Sequence, residues 1–342
     1  MIEIDGSQGE GGGQIIRSSL ALSAVTRQPI KLKNIRAGRR KPGLLRQHLT
    51  GVRATAEVCH ADVVGAELGA QEITFVPQQI TPGQFHFQIG TAGSASLVAQ
   101  TVLPALMMAD GPSTVTLEGG THNQWAPPFD FLQRAFLPQL AKAGPQVTAE
   151  IDAYGFYPAG GGRFRLDIAP CQQLSAIELI DRDEQPQPRV TAIVAGIPRS
   201  VGQRECETIR RKTNWQAKYF EVREVNAPSG AGNVVMIELI SRDVTEIITG
   251  FGKIGVKAEQ VARGALREAR AYLDAGVPVG EHLADQLLMP MGLAASQGQP
   301  SAFRTVKLSM HSLTHIDILK TFLDIEITIE EQGNNTILVR LA

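Results

Sequence analysis

Residues 5–20 read DGSQGEGGGQIIRSSL, and this stretch decides how the start of the fold is built. A strand-like segment runs into a glycine-rich loop, and the segment after it predicts a helix over residues 14–26. Glycines let backbone N–H groups turn toward an anion, and the helix N-terminus adds a partial positive charge. No G-K-[ST] follows, and Gln14 stands where a dinucleotide fingerprint has its last glycine, so neither of those loops is predicted. An anion site and a plain strand-to-helix turn both remain open.

The order of helix, strand, helix and two strands recurs along the chain. The first round has a helix over 14–26, a strand over 30–35, a helix over 42–59 with Pro42 in its first turn, and strands over 72–76 and 84–89. The second has a helix over 94–108, a strand over 113–118, a helix over 129–143, and strands over 147–151 and 162–168. A partial third has a helix over 281–293, a strand over 305–309, a helix over 315–323, and strands over 325–330 and 335–341. An offset of roughly 80 residues between rounds is typical of duplicated supersecondary units.

Residues 172–275 interrupt this rhythm. The segment includes the polar, proline-containing linker DRDEQPQP at 181–188, and it has predicted strands at 190–194 and 234–240 and a charged helix at 203–212. We therefore predict a smaller α/β domain inserted into the third round. The expected division is a large domain of residues 1–178 and 278–342 and an inserted domain of residues 179–277.

The composition is that of an ordinary soluble globular protein. Of the 342 residues, 43% are hydrophobic and 20% are charged, and the formal net charge is -1, so any nucleic-acid site must be a local patch. The N-terminus lacks the features of a signal peptide, and the longest apolar stretch, residues 97–109, is too short for a membrane span. Cys59, Cys171 and Cys206 are far apart without a C-x-x-C, which favours a reducing compartment and predicts a cytoplasmic location.

Two charged features suggest a phosphate site. Glu10 lies in the glycine loop, where a carboxylate would oppose a phosphate unless a divalent cation lay between them. Residues 36–48, RAGRRKPGLLRQH, place five cations on a strand-to-helix connection, and Arg17 can join them from the first helix. The planar fork of arginine suits phosphate oxygens. The alternative is a solvated basic loop.

Two further stretches could carry chemistry. Residues 119–130, GGTHNQWAPPFD, can offer a flat apolar face to a base. The alternative is a purely structural role, because Pro-Pro often precedes a helix. Residues 309–316, SMHSLTHI, place His311 and His315 at the i, i+4 spacing of two metal ligands, but no H-E-x-x-H glutamate accompanies them. Neutral imidazole can also attack phosphorus, and the absence of a K-x-D-G lysine motif is consistent with a histidine nucleophile.

Taken together, these stretches resemble the RNA 3′-terminal phosphate cyclase family over essentially the whole chain. The matching segments are DGSQGEGGGQIIRSSL, IRAGRRKPGLLRQHL, GTAGSASLVAQTVLPAL, GGTHNQWAPP, GFYPAGGG and EHLADQLLMPM. The resemblance implies an α/β (α+β) fold with three repeats of a unit in which two helices cover a four-stranded sheet. It also implies a smaller inserted α/β domain, in agreement with the rhythm of predicted elements.

The resemblance also implies roles for individual residues. The adenylylated histidine of the family falls on His311, and its metal-associated glutamate falls on Glu10, with Mg²⁺ or Mn²⁺ as the ion. Its arginines near the substrate phosphate fall on Arg17, Arg36 and Arg39, with Gln47 nearby. Its nucleotide pocket falls on Gln100, Pro127, Asp130, Asp285 and Gln286.

Two positions depart from the pattern of the bacterial relatives. His282 stands where a tyrosine stacks on adenine, and an imidazole stacks with less area. His315 stands where asparagine is usual, so a second imidazole there can alter the protonation of His311.

The function implied is ATP-dependent conversion of an RNA 3′-terminal phosphate to a 2′,3′-cyclic phosphodiester through a histidine–AMP intermediate. One alternative is a non-catalytic cyclase-like protein that binds ribosomal RNA or assembly factors, and another is a transferase of the enolpyruvyl-shikimate type. Retention of His311, Arg39 and Glu10 favours the enzyme. The expected partner is RNA with a 3′-terminal phosphate and not a membrane. The oligomeric state stays open, with a homodimer as one alternative.

Overall fold

The computed structural model describes residues 1–182 and 185–342 of the chain. Its first unit contains β1 (Ile2–Asp5), α1 (Gly13–Thr26), β2 (Ile30–Lys33), α2 (Arg46–Cys59), β3 (Asp62–Val64) and β4 (Ile73–Val76). The second unit contains β5 (Gln84–Gln88), α3 (Ala95–Leu106), β6 (Ser113–Gly119), α4 (Phe129–Phe131), a π-helical turn (Leu132–Phe136), α5 (Leu137–Lys142), β7 (Gln146–Ala153) and β8 (Gly162–Ala169).

The third unit begins with β9 (Glu178–Leu179) and is then interrupted. The interruption contains β10 (Gln187–Ala195), α6 (Ser200–Arg210), β11 (Phe220–Glu224), β12 (Gly232–Ile240), β13 (Thr245–Phe251) and α7 (Ala258–Ala275), with a 3₁₀ turn at Ala217–Tyr219. The third unit resumes with α8 (Glu281–Ser296), β14 (Ser301–Thr305), α9 (Met310–Phe322), β15 (Ile327–Gln332), a 3₁₀ turn at Gly333–Asn335, and β16 (Thr336–Leu341).

Three of the four sheets have one topology. Their strand orders are β1-β2-β4-β3, β5-β6-β8-β7 and β9-β14-β16-β15. In each, the first two strands pair in parallel, and the fourth strand pairs antiparallel with the second and the third. The parallel pair is joined by a helix, as a parallel connection requires. The predicted fold class, three repeats of a two-helix, four-stranded unit with an inserted α/β element, is therefore confirmed.

The fourth sheet has the order β11-β10-β12-β13, and its two central strands, β10 and β12, are buried on both faces over most of their length. Along β10, Val190 and Ala192 pack with α6 and α7 in a separate core, whereas Ile193 and Ala195 join the main core of the three units. Strands buried on both faces read as continuous apolar runs, and this explains why β10 and β12 could be found in the sequence. The division into domains at 179–277 stays a proposal, and its boundary at 178/179 falls inside β9.

Several predicted elements were wrong in their bounds. The second helix begins at Arg46 and not at Pro42, because Gly43 has φ +76° and donates its N–H to the Ile35 carbonyl, which holds this connection extended. The strand predicted over 305–309 lies at Ser301–Thr305 instead, and the helix predicted over 315–323 begins at Met310. Ser309 caps that helix by accepting the Ser312 N–H at 3.1 Å.

Other elements were assigned to the wrong unit or missed. β5 opens the second sheet, whereas the sequence placed this strand in the first round. The sequence also missed β3 and β9, which are only three and two residues long, together with β11, β13 and the 18-residue α7. Residues 183 and 184 of the predicted linker lie outside the described residues, and its last two residues already belong to β10.

The first helices of the three units meet around a small chamber. Its walls come mainly from α1, α3 and α8, and single residues are added by the π-helical turn (Phe136), α5 (Leu140) and α9 (His315). This places the N-terminal half of α1 next to the start of α9, where the residues singled out in the sequence come together. In the described part of the chain, no helix has both the length and the apolar character needed to cross a membrane.

Candidate active site

The glycine loop between β1 and α1 folds around the side chain of Glu10, which is 5% exposed. Glu10 Oε1 accepts the backbone N–H of Gln14 at 2.9 Å, and the Glu10 N–H donates to Thr314 Oγ1 at 2.9 Å. Gly9 has φ +56°, and a Cβ there would lie 2.2 Å from Thr314 Oγ1. Glycine is therefore required at position 9 for the loop to pack against α9. At the start of α1, the backbone N–H of Gln14 binds the carboxylate of Glu10.

Arg39 closes the loop from the other side. Its guanidinium forms an ion pair with Glu10 Oε2 and also donates to the Glu10 carbonyl at 2.7 Å. A Cβ on Gly12 would lie 2.7 Å from Arg39 Nη2, so glycine is needed here for close approach. The Arg39 side chain remains 47% exposed, so part of its fork can still meet a phosphate.

Two other predicted phosphate ligands are bonded into the frame of the site. Arg36 donates Nη1 to the carbonyls of Lys41 at 2.6 Å and Gly43 at 2.9 Å, which fixes the shape of the basic loop. Gln47 accepts the N–H of Ser94, the N-cap of α3, at 2.7 Å. The structure thus brings Arg36 and Gln47 near the site, and both already make hydrogen bonds to backbone groups.

His48 ends the basic stretch of residues 36–48, and no sequence signal marked it as a site residue. Burial, together with the charges of Arg36 and Arg17, lowers the pKa of His48 to about 3, so its imidazole is neutral in the folded protein. Its Nδ1 accepts the N–H of Leu45 at 3.2 Å, at the start of α2. A Cβ on Gly13 would lie 2.9 Å from both His48 Nε2 and Arg17 Nη1, so the two side chains converge under the start of α1.

His311 is the second residue of α9 and lies beside the glycine loop. Its side chain is 56% exposed, and its Nδ1 lies 3.8 Å from Glu10 Oε1. Because Nδ1 is turned toward this carboxylate, Nε2 is left to face the solvent side. The free N–H groups and the dipole at the start of α9 favour negative charge close to the ring. This arrangement suits an imidazole that attacks a phosphorus atom.

His311 lines an open cleft with about 930 Å³ of empty space. Of the residues predicted from the sequence, the cleft brings together Arg17, Pro127, His282, Asp285, Gln286 and His311. Ile247 and Thr249 of β13 also line it, so the inserted segment supplies part of the wall. The Pro127 carbonyl is held by the Ser96 hydroxyl at 2.6 Å.

Arg17, Asp285 and His315 meet where the cleft opens into the chamber below. Burial lowers the pKa of Arg17, while the charges of Asp285 and Glu10 act against this shift. Burial alone would raise the pKa of Asp285, but the imidazole of His315, assisted by Arg17 and His311, holds it below its usual value. Both residues stay charged, so Arg17 offers a partly buried positive charge to a ligand in the cleft.

His315 is directed into the chamber and not toward His311. Its Nδ1 lies 3.6 Å from Asp285 Oδ1, and among the described residues neither of its ring nitrogens has a hydrogen-bond partner. His311 instead lies beside Glu10, so the two histidines do not form a zinc pair. No group of three His, Cys, Asp or Glu side chains in residues 1–182 and 185–342 is arranged to hold a metal ion.

Gln100 and Asp130 occupy supporting positions. Gln100 lines the chamber and donates its amide to Gln286, which in turn donates to Asp285 at 3.2 Å. Asp130 is 4% exposed, and its carboxylate accepts from His122 at 2.8 Å and from Arg134. These partners hold the pKa of Asp130 below its usual value, although burial opposes them. The structure therefore ties Asp130 into the protein behind the cleft wall.

Comparison with known proteins shows which family the chain belongs to. The chain matches the family described as RNA 3'-terminal phosphate cyclase over residues 8–329. It is 48% identical to the RNA 3'-terminal phosphate cyclase of Koribacter versatilis, covering 98% of this chain and 93% of the relative. It is 46% identical to that of Ralstonia nicotianae, over 98% of this chain and 95% of the relative. It is 45% identical to that of Salmonella agona, over 97% of this chain and 94% of the relative. The chain belongs to the RNA 3′-terminal phosphate cyclase family, which confirms the predicted family and the predicted enzyme class, a ligase.

Glu246 of β13, which was not predicted from the sequence, links the inserted sheet to the cleft. Its buried carboxyl accepts the N–H of Gly280 at 2.7 Å, and Gly280 is the N-cap of α8, the helix that carries Asp285 and Gln286. Burial raises the pKa of Glu246 to about 8, so the carboxyl is protonated at neutral pH. The sequence signal that could have revealed it is a glutamate within the β-branched stretch TEIIT at 245–249.

We predict that Glu246→Gln removes a pH dependence of stability. A folded-state pKa raised to about 8 means that the contribution of Glu246 is fully present below the unfolded value, near 4.5, and is lost as pH rises toward 8. As the pH rises through this window, the free energy of unfolding of the variant should therefore increase relative to that of the wild type, by up to roughly 1.4 kcal/mol per pH unit. Denaturant titrations at several pH values measure this difference. Glu281→Gln, an exposed neighbour, is the control, and parallel pH profiles for wild type and Glu246→Gln would contradict the prediction.

Proposed function

We propose that this enzyme uses ATP to convert the 3′-terminal phosphate of an RNA into a 2′,3′-cyclic phosphodiester. The observation that carries the proposal is the position of His311, whose half-exposed imidazole lies at the start of α9 beside Glu10 and in the same cleft as Arg17. The names of the relatives, RNA 3'-terminal phosphate cyclase, support the same reaction. A non-catalytic RNA-binding role would not require a histidine, a carboxylate and two arginines to converge.

In the first step, Nε2 of His311 attacks the α-phosphorus of ATP. A phosphorus–nitrogen bond forms, the bond to the β-phosphate oxygen breaks, and pyrophosphate leaves with the electron pair. Glu10 faces Nδ1 and so orients the ring and offsets the positive charge that it gains. Arg17 and the N–H groups at the start of α9 stabilise the negative charge that builds up on the phosphate oxygens.

Glu10 fits the single-carboxylate mode by which Mg²⁺ is often bound. That ion commonly takes one or two carboxylates and completes its shell with water and substrate phosphates. Glu10 offers one carboxylate, now neutralised by Arg39, and the described residues add no cluster of further ligands. We propose that Glu10 holds Mg²⁺, or Mn²⁺, together with the triphosphate. The ion would neutralise phosphate charge during the transfer.

In the second step, an oxygen of the RNA 3′-phosphate attacks the phosphorus of the adenylyl group and His311 leaves as a neutral imidazole. In the third, the neighbouring 2′-hydroxyl gives its proton to solvent and attacks the activated 3′-phosphorus, and the bond from that phosphorus to the AMP oxygen breaks so that AMP leaves with the electron pair. Because the hydroxyl and the phosphorus belong to one ribose, this closure is intramolecular, which can supply on the order of 7–11 kcal/mol in favourable cases. The exposed part of Arg39 is the group that we assign to the RNA phosphate.

We propose that adenine binds between Pro127 and His282, which both line the cleft. The His282 imidazole is 67% exposed and offers less stacking area than a tyrosine. Gln286, backed by Gln100, presents an amide to the same space. Asp130 supports the pocket from behind. A cytoplasmic location suits this proposal, because Cys59, Cys171 and Cys206 are all free thiols.

The test is product analysis with a 3′-phosphorylated oligoribonucleotide, ATP and Mg²⁺. The product should resist phosphatase, should weigh one water less than the substrate, and should appear with equal amounts of AMP and pyrophosphate. The matched control carries a 2′-deoxyribose at its 3′ end, so it lacks the attacking hydroxyl and should accumulate the adenylylated RNA. A wild-type enzyme that binds ATP but leaves the 3′-phosphate unchanged would contradict the proposal.

A further inference from the structure

An exposed aromatic patch lies at the rim of the cleft. Trp125 is 76% exposed and Tyr157 is 65% exposed, and their rings meet edge to face with centroids 6.3 Å apart. The Nζ of Lys253 lies 5.9 Å from the centre of the Trp125 ring. We call Trp125, Tyr157 and Lys253 the aromatic shelf. Such wide exposure is uncommon for tryptophan, and Trp215, the other one in the chain, packs against the second core.

The aromatic shelf is continuous with the site of chemistry. Trp125 lines the same cleft as His311, in the loop that also carries Pro127. Lys253 follows the end of β13, so the inserted segment contributes the cation. The patch therefore lies where a chain bound with its end at His311 can leave the cleft, and it combines flat apolar rings with a positive charge.

We propose that the aromatic shelf binds a nucleotide of the RNA upstream of its 3′ end, with a base stacked on Trp125 and a backbone phosphate near Lys253. This inference rests on the proposed function and extends it to the substrate beyond the reacting ribose. Aromatic rings beside cations are the usual platform for single-stranded RNA, because every base has a π face and stacking is tolerant of sequence. The enzyme would thus hold RNA ends of any sequence while distinguishing an oligonucleotide from a mononucleotide.

The first experiment compares the wild type with Trp125→Ala in the cyclisation of a 3′-phosphorylated oligoribonucleotide. Loss of a stacked base should raise the KM for RNA by about 5- to 150-fold. The KM for ATP, measured by self-adenylylation without RNA, should change at least fivefold less. Trp125→Phe, which keeps an aromatic face, should stay within roughly threefold of the wild type. Because the Trp125 side chain is exposed, its removal should leave the fold intact, and circular dichroism checks this.

The second experiment replaces single bases near the RNA 3′ end with abasic sites. An abasic site at one position should weaken RNA binding to the wild type but not to Trp125→Ala. The effects of the abasic site and of the Trp125→Ala substitution should therefore not be additive. Indole fluorescence gives an independent signal, since a stacked base quenches Trp125 in a Trp215→Phe background. The proposal is overturned if Trp125→Ala mainly raises the KM for ATP, which would assign the ring to adenine, or if neither KM changes. Failure of the proposed function looks different, because the wild type itself would then not cyclise RNA.

Discussion

His311→Ala is expected to abolish both self-adenylylation and ring closure, with a rate at least about 10⁴-fold below that of the wild type. The reason is chemical, because alanine offers no nitrogen to carry AMP, and the other imidazole that lines the cleft, His282, lies beside Glu268 and not beside Glu10. His315 lies one turn along α9 but is buried against Asp285. The measurement is transfer of label from α-labelled ATP to the protein, followed by cyclisation of a 3′-phosphorylated oligonucleotide.

His315→Asn is the matched control, because it changes the same residue type on the same helix. It should keep the ability to take up label, since His311 and Glu10 are untouched. A His311→Ala enzyme that still became labelled would show that another residue is the nucleophile. Both variants should fold, because His311 is exposed and asparagine is smaller than the histidine that it replaces in the chamber.

Arg39→Ala is expected to slow AMP transfer by about 10²- to 10³-fold, the range seen when one preorganised donor to a developing charge is removed. Arg39 forms an ion pair with Glu10 and is still half exposed. Its removal would leave Glu10 without its arginine partner and would take away one of the positive charges that face the phosphates. Rates of self-adenylylation and of transfer to RNA, measured separately, show which step suffers.

Arg40→Ala is the control for Arg39→Ala, because Arg40 is the next residue along the same loop and is exposed. It should stay close to the wild-type rate. Arg39→Lys should recover only part of the loss, since an ammonium cannot engage a carboxylate and a phosphate with the planar fork of arginine. The Glu10→Gln/Arg39→Ala double variant should be non-additive because the two side chains are in contact. Equal rates for Arg39→Ala and Arg40→Ala would contradict this account.

The repeated architecture was accessible from the sequence because its signals are local. The glycine run after β1 and the apolar period of α1 lie within one short stretch, and the same order returns in the second unit. β3 could not be found in this way, since it has three residues and alternates between exposed and half-buried positions. β9 is still shorter and is separated from its partner β14 by the whole insertion.

The site residues came from the resemblance, and their surroundings could not be read from the chain. Arg36 donates to main-chain carbonyls, which every residue carries, so no sequence signal marks them. The partner of Asp130, Arg134, also donates to Glu238 at 2.8 Å, more than a hundred positions along the chain. The sequence placed His311 between a strand and a helix, whereas the Ser309 cap sets it in the first turn of α9. Its contact with Glu10 depends on tertiary docking of the glycine loop.

The most direct measurement is mass spectrometry of the protein after incubation with ATP and Mg²⁺ in the absence of RNA. Trypsin should release residues 308–320, LSMHSLTHIDILK, which contain both His311 and His315, so fragmentation of this peptide has to separate the two. The account predicts one adenylyl group on His311. An adenylyl group on His315, on a lysine, or on no residue of an enzyme that still cyclises RNA would contradict it.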